Sequence, residues 1–96
     1  MSALATRLRD RITSRTARTG VVGLGYVGLP LAVELARNGF STTGIDLDDR
    51  KVSSIMAGTS YIPDVSSDDV RQFRAADRLD ATTDFAVVAQ LDTVNI

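Results

Sequence analysis

The run Val21-Val22-Gly23-Leu24-Gly25-Tyr26-Val27-Gly28 constrains the fold of this chain more than any other feature. Its G-x-G-x-x-G spacing is weak alone, because glycines also gather in ordinary turns. Its surroundings make it specific. Residues 19–24 read as a short buried strand, with Val21 and Val22 side by side, as in strands covered on both faces. Residues 27–38 read as an apolar helix, with Val27, Leu31 and Leu35 on one row and Leu29, Ala32, Val33 and Ala36 on the next. Asn38-Gly39 ends it. A second strand signal, residues 40–46, closes on an acid, Asp46, 18 residues after Gly28. Strand, glycine turn, helix and acid-ended strand together form a dinucleotide-binding βαβ unit.

Each glycine has a physical task in such a unit. Gly23 permits the tight turn out of the strand, Gly25 lets a pyrophosphate approach the backbone, and Gly28 lets the helix sit close to the sheet. Unpaired N–H groups at the helix start offer partial positive charge to phosphates. Tyr26 and Val27 contribute mainly through their backbone N–H groups. No G-x-x-x-x-G-K-[ST] run exists, which argues against an ATPase or GTPase. Asp46 can accept hydrogen bonds from both ribose hydroxyls of an adenosine and would repel a 2′-phosphate, so NAD is expected rather than NADP. Arg50 and Lys51 lie close enough to weaken that preference slightly, and Asp46 has an alternative use as a helix cap for residues 48–57.

The rest of the chain repeats the alternation. Residues 48–57 read as a helix with acids in its first turn, Val52, Ile55 and Met56 inward, and Gly58 as the stop. Residues 61–65 form a loop around Pro63. Ser66 and Asp69 open a third helix running to about Leu79, with Val70 and Phe73 as its apolar contacts. A weak strand is expected at 79–82, a short helix capped by Asp84 at 85–90, and a strand at 92–96. The expected class is α/β: a parallel Rossmann-type sheet of order 3-2-1-4, the first half of a doubly wound fold, with helices on both faces. An amphipathic helix over residues 2–14, apolar at Leu4, Leu8 and Ile12, precedes it. The expected organisation is an N-terminal helical segment, 1–18, and a partial NAD-binding domain, 19–96, truncated at its C-terminal end.

Composition removes whole classes of chemistry. The 96 residues include no Cys and no His, so this stretch holds no thiol nucleophile, disulfide, Cys/His zinc site or histidine base. No catalytic or metal-binding residue is assigned within it. Residues 1–20 carry five Arg against the single acid Asp10, whereas the remainder is acidic. An acidic body argues against general nucleic-acid binding. No apolar run approaches the ~20 residues of a membrane span. The Arg-rich start also fits a mitochondrial transit composition. It runs almost directly into the first strand signal, which favours a helix packed on the domain or on a partner.

With these residues assembled, the sequence resembles the N-terminal NAD-binding part of the UDP-glucose/GDP-mannose dehydrogenase family. The resemblance lies in Val22-Gly23-Leu24-Gly25-Tyr26-Val27-Gly28-Leu29-Pro30-Leu31-Ala32, in Gly44-Ile45-Asp46, and in Lys51-Val52. The leader and Gly58-Thr59-Ser60-Tyr61-Ile62 are similar to the UDP-N-acetylglucosamine/UDP-N-acetylmannosamine 6-dehydrogenase branch. The resemblance implies NAD-dependent, four-electron oxidation of a UDP-sugar at C6, from alcohol to carboxylate, for surface polysaccharide precursors. It also implies a cytoplasmic, homo-oligomeric enzyme whose catalytic Cys, Lys, Asn and Asp lie downstream, leaving this stretch inactive alone. Carried over to this sequence is a cofactor half-site: Gly23, Gly25, Tyr26, Val27 and Gly28 at the pyrophosphate, Asp46 at the ribose, Lys51 near it, and Arg50 over the adenine or simply in solvent.

Two other readings stay open on sequence: the NAD-binding part of a β-hydroxyacid-type dehydrogenase, and a non-catalytic nucleotide-binding module. As an isolated chain, the protein is expected to be marginally stable, to aggregate or pair through an apolar strand at 94–96, and to bind NAD weakly.

Overall fold

The computed structural model describes residues 17–95. They form β1 (Arg18–Val22), α1 (Gly28–Arg37), β2 (Ser41–Ile45), α2 (Asp49–Met56), α3 (Ser67–Ala75), β3 (Leu79–Thr82), a 3₁₀ helix (Phe85–Gln90) and β4 (Thr93–Asn95). The leader helix expected over residues 2–14 lies outside the described residues. The strands pair in parallel in the order β3-β2-β1-β4, as the alternation of strands and helices predicts. The order reverses beside β1, so the glycine turn leaves the sheet at the topological switch point.

Alternation along the strands sets the two sheet faces. Val21, Leu79 and Ala81 face one way and are buried with Leu29, Ala32, Val33 and Ala36 of α1, Val52 and Ile55 of α2, and Val70 and Phe73 of α3. The three α-helices among the described residues therefore pack on one face. The other face carries Arg18, Ser41, Thr43, Asp80 and Thr82, and the 3₁₀ helix and Leu91 lie over it. Among the described residues, the layer on that face is this short 3₁₀ helix with Leu91. A Cβ on Gly20 would stand 2.3 Å from Leu91 Cδ1, so the missing side chain is what admits Leu91 to that face.

The helix ends share one device. After α1, Phe40 N–H donates to Leu35 and Gly39 N–H to Ala36; after α2, Thr59 donates to Ser54 and Gly58 to Ile55. These are Schellman closures, with Gly39 (φ 92°) and Gly58 (φ 79°) in the left-handed region. The third corrects the sequence reading. That helix ends at Ala75, not near Leu79, because Arg78 N–H donates to Phe73 and Asp77 N–H to Arg74. Asp77 takes the left-handed position at φ 58°, so the stop carries no glycine, and Leu79 is released to open β3. Asp48, Ser66 and Asp84 cap the starts of α2, α3 and the 3₁₀ helix.

One apolar assignment also changes. Met56 is 42% exposed, although its sulfur accepts from the Ala81 N–H. At the start of α1, the N-cap residue Val27 is 80% exposed and Leu31 is 37% exposed. The row that packs is Leu29, Ala32, Val33 and Ala36, and the Val27–Leu31 row faces the site described next.

Candidate dinucleotide-binding site

The turn from β1 into α1 is built so that its backbone stays open. Gly23 has φ 92°, a conformation that L side chains rarely adopt, and its N–H donates to Ile45 O at 2.8 Å. A Cβ on Gly28 would stand 1.6 Å from the Gly23 carbonyl oxygen and 3.4 Å from Val21 Cγ1. Only glycine lets α1 start this close to β1. Around Gly25 a Cβ would meet nothing within 4 Å. Val21, Val22, Gly23, Gly25, Val27 and Leu31 border a groove of about 380 Å³ there. The Tyr26 side chain is 78% exposed beside it.

Electrostatically, α1 differs from α2 and α3. Its N-cap residue, Val27, offers no side-chain acceptor, and its first turn holds no acid. Within the loop the bonds run from Leu29 N–H to Gly25 O and from Leu31 N–H to Val27 O. The N–H groups of Gly25, Tyr26, Val27 and Gly28 find no acceptor among the described residues. A helix start with orphan donors and no competing carboxylate is an anion site in waiting.

Asp46 follows β2 and faces this turn. Its Oδ2 accepts from Leu24 N–H and its Oδ1 from Asp48 N–H, both at 2.8 Å. The carboxylate is therefore held in one orientation and tied to the glycine loop. Each oxygen has further lone-pair capacity, so ribose hydroxyls can still donate to it. The cap of α2 is Asp48, which accepts from Arg50 N–H at 3.0 Å, so Asp46 is not spent on capping. That bond, and then the Arg50 side chain and the Lys51 charge, hold the Asp48 carboxyl below the usual range despite partial desolvation. Arg50 turns its guanidinium to Asp48 at 3.4 Å with a side chain 93% exposed. Nothing in the structure pairs Arg50 or Lys51 with Asp46.

Two residues at the site were not legible as such. Leu47 is 80% exposed directly after Asp46, an apolar ledge in an acidic run. Tyr61 donates its hydroxyl to the Leu24 carbonyl oxygen at 2.5 Å. The two lie 37 positions apart, and no local pattern announces such a pairing. The orphan N–H row, the room at Gly25 and the oriented carboxylate fit an adenine dinucleotide.

Residues 17–96 match the model of the NAD-binding domain of the UDP-glucose/GDP-mannose dehydrogenase family. The chain belongs to that family. Among its relatives, UDP-N-acetyl-D-mannosamine dehydrogenase of Methanococcus aeolicus is 50% identical over 42 residues, covering 44% of this chain and 10% of that protein. GDP-mannose dehydrogenase of Pseudomonas aeruginosa superposes with TM-score 0.74 at 33% identity, over 82% of this chain and 19% of that one. UDP-glucose dehydrogenase of Pyrobaculum islandicum does so with TM-score 0.73 at 30% identity, over 81% and 18%. The chain spans about a tenth to a fifth of the length of these relatives. As a UDP-glucose/GDP-mannose dehydrogenase NAD-binding domain, it takes NAD as cofactor. No helix among the described residues is long and apolar enough to cross a membrane, and no cluster of metal-ligating side chains occurs among them.

Proposed function

We propose that this chain is the cofactor half-site of a UDP-sugar 6-dehydrogenase that oxidises the C6 alcohol to a carboxylate in two NAD-dependent steps. The observation that carries the cofactor part is the glycine turn itself, with open space at Gly25, orphan N–H groups at residues 25–28 and no acid in the first turn of α1. Bound there, NAD supplies the hydride acceptor. The chain's own residues bind and orient it: Gly23, Gly25, Tyr26, Val27 and Gly28 at the pyrophosphate through backbone N–H groups and close approach, and Asp46 at the adenosine ribose. Lys51 and Arg50 contribute only surface charge near that end. The substrate class rests on relatives named UDP-N-acetyl-D-mannosamine dehydrogenase, including the 50% identical protein of Methanococcus aeolicus.

On this reading the whole enzyme is cytoplasmic, homo-oligomeric and makes surface polysaccharide precursors, and its covalent chemistry belongs to residues outside this cysteine-free stretch. The test is NADH formation by the full-length protein with UDP-N-acetylglucosamine, UDP-N-acetylmannosamine and UDP-glucose. Two NADH per sugar and an acidic product are expected with one of them. Turnover of a small 3-hydroxy acid instead, with none of the three sugars oxidised, would remove the assignment.

A further inference from the structure

We propose that Tyr61 is a positioning residue for the dinucleotide: its hydroxyl holds the Leu24 carbonyl, so that the N–H groups of residues 25–28 remain available to the pyrophosphate. The inference rests on the cofactor reading of the glycine loop and adds a residue from outside the motif. In a continuing helix the Leu24 carbonyl would accept from Gly28 N–H, four residues on. Here it accepts from Tyr61 instead, and Gly28 N–H keeps no acceptor among the described residues. The N–H of the same residue, Leu24, donates to Asp46. One residue of the loop is thereby held on both sides, by the ribose-binding acid and by the tyrosine.

Tyr61 is itself held. Ser60 N–H donates to Ser67 Oγ at 2.9 Å, and Ser60 Oγ accepts from Ile62 N–H at 3.1 Å. These bonds fix the 60–62 turn against the start of α3, and the ring packs on the core. Burial, followed by the charges of Asp46 and Asp48, pushes the phenol up to about 12, so the hydroxyl is a donor throughout the physiological range. A phenolate there would face the Leu24 carbonyl without a proton to share.

The experiment compares the full-length protein with Tyr61→Phe and with a variant carrying 4-aminophenylalanine at position 61, which restores a donor. Affinities for NAD, ADP and adenosine are measured by calorimetric or NMR titration, alongside the melting temperature and kcat at saturating NAD. Expected in Tyr61→Phe is a roughly fivefold weaker Kd for NAD and for ADP, the size of one lost hydrogen bond. Adenosine affinity and kcat stay unchanged, and 4-aminophenylalanine recovers part of the loss. A Phe variant that melts lower yet binds NAD and ADP like wild type overturns the proposal and leaves the cofactor reading intact. Equal loss for adenosine overturns it too, since the effect would then belong to the Asp46 end. Wild-type protein that binds no NAD overturns the cofactor reading and this proposal with it. Should Phe unfold the domain, the aminophenylalanine variant decides: wild-type NAD and ADP affinity supports the proposal, and a loss shared with adenosine overturns it.

Discussion

A Cβ on Gly28 would stand 1.6 Å from the Gly23 carbonyl oxygen, whereas one on Gly25 would meet nothing within 4 Å. The two glycines of one motif therefore predict opposite phenotypes. Gly28→Ala forces α1 off the sheet and costs stability by overpacking, about 3 kcal/mol, read by denaturant or thermal unfolding. Gly25→Val leaves stability within about 0.5 kcal/mol, because its side chain enters open space. Tyr61 adds a pH signature. Its ionisation is raised from the ordinary 10.0 to about 12, by burial first and then by Asp46 and Asp48. In the folded state the phenol keeps its proton where the unfolded chain has lost it. That contribution is whole below pH 10, falls as the pH rises, and is gone above about 12. Unfolding measured across this window should lose stability with rising pH, and Tyr61→Phe should flatten the slope. An equal slope in both proteins would contradict the assignment.

At the scale of elements, α1, α2 and α3 were legible largely from local start and stop signals. Ser66 and the acids before 49–56 announced two starts, and Gly39 and Gly58 announced two stops. The third stop was hidden, because Asp77 occupies the left-handed position that a glycine fills elsewhere. Asp77→Gly should therefore stabilise the domain by about 0.5–1 kcal/mol, net of the entropy that glycine loses on folding, measured as a rise in melting temperature. Unchanged or lower stability would show that Asp77 carries no strain. Side-chain direction was harder to read than element type. The Val27–Leu31 row and the Leu29–Ala36 row of α1 are both apolar in sequence, and only the second is buried. Periodicity cannot tell a core face from an apolar site face. Met56 was misread for a related reason: its sulfur reaches the Ala81 N–H while the residue stays 42% exposed.

For the whole molecule, the sheet order places the glycine turn and Asp46 at one end of the parallel strands, beside the point where the strand order reverses. That arrangement was predictable, since alternating strands and helices with right-handed crossovers leave few topologies. Tyr61 was not, since its bond joins parts of the chain far apart in sequence. Among the described residues the second sheet face is covered by the 3₁₀ helix and Leu91, a thin layer that a count of predicted helices did not reveal. The central claim is that the open backbone at Gly25 receives the dinucleotide. Equilibrium titration of NAD against the full-length protein and its Gly25→Val variant tests this most directly. The account predicts saturable NAD binding by wild type and its loss in a variant that melts at the same temperature. Undiminished NAD binding by Gly25→Val would contradict it.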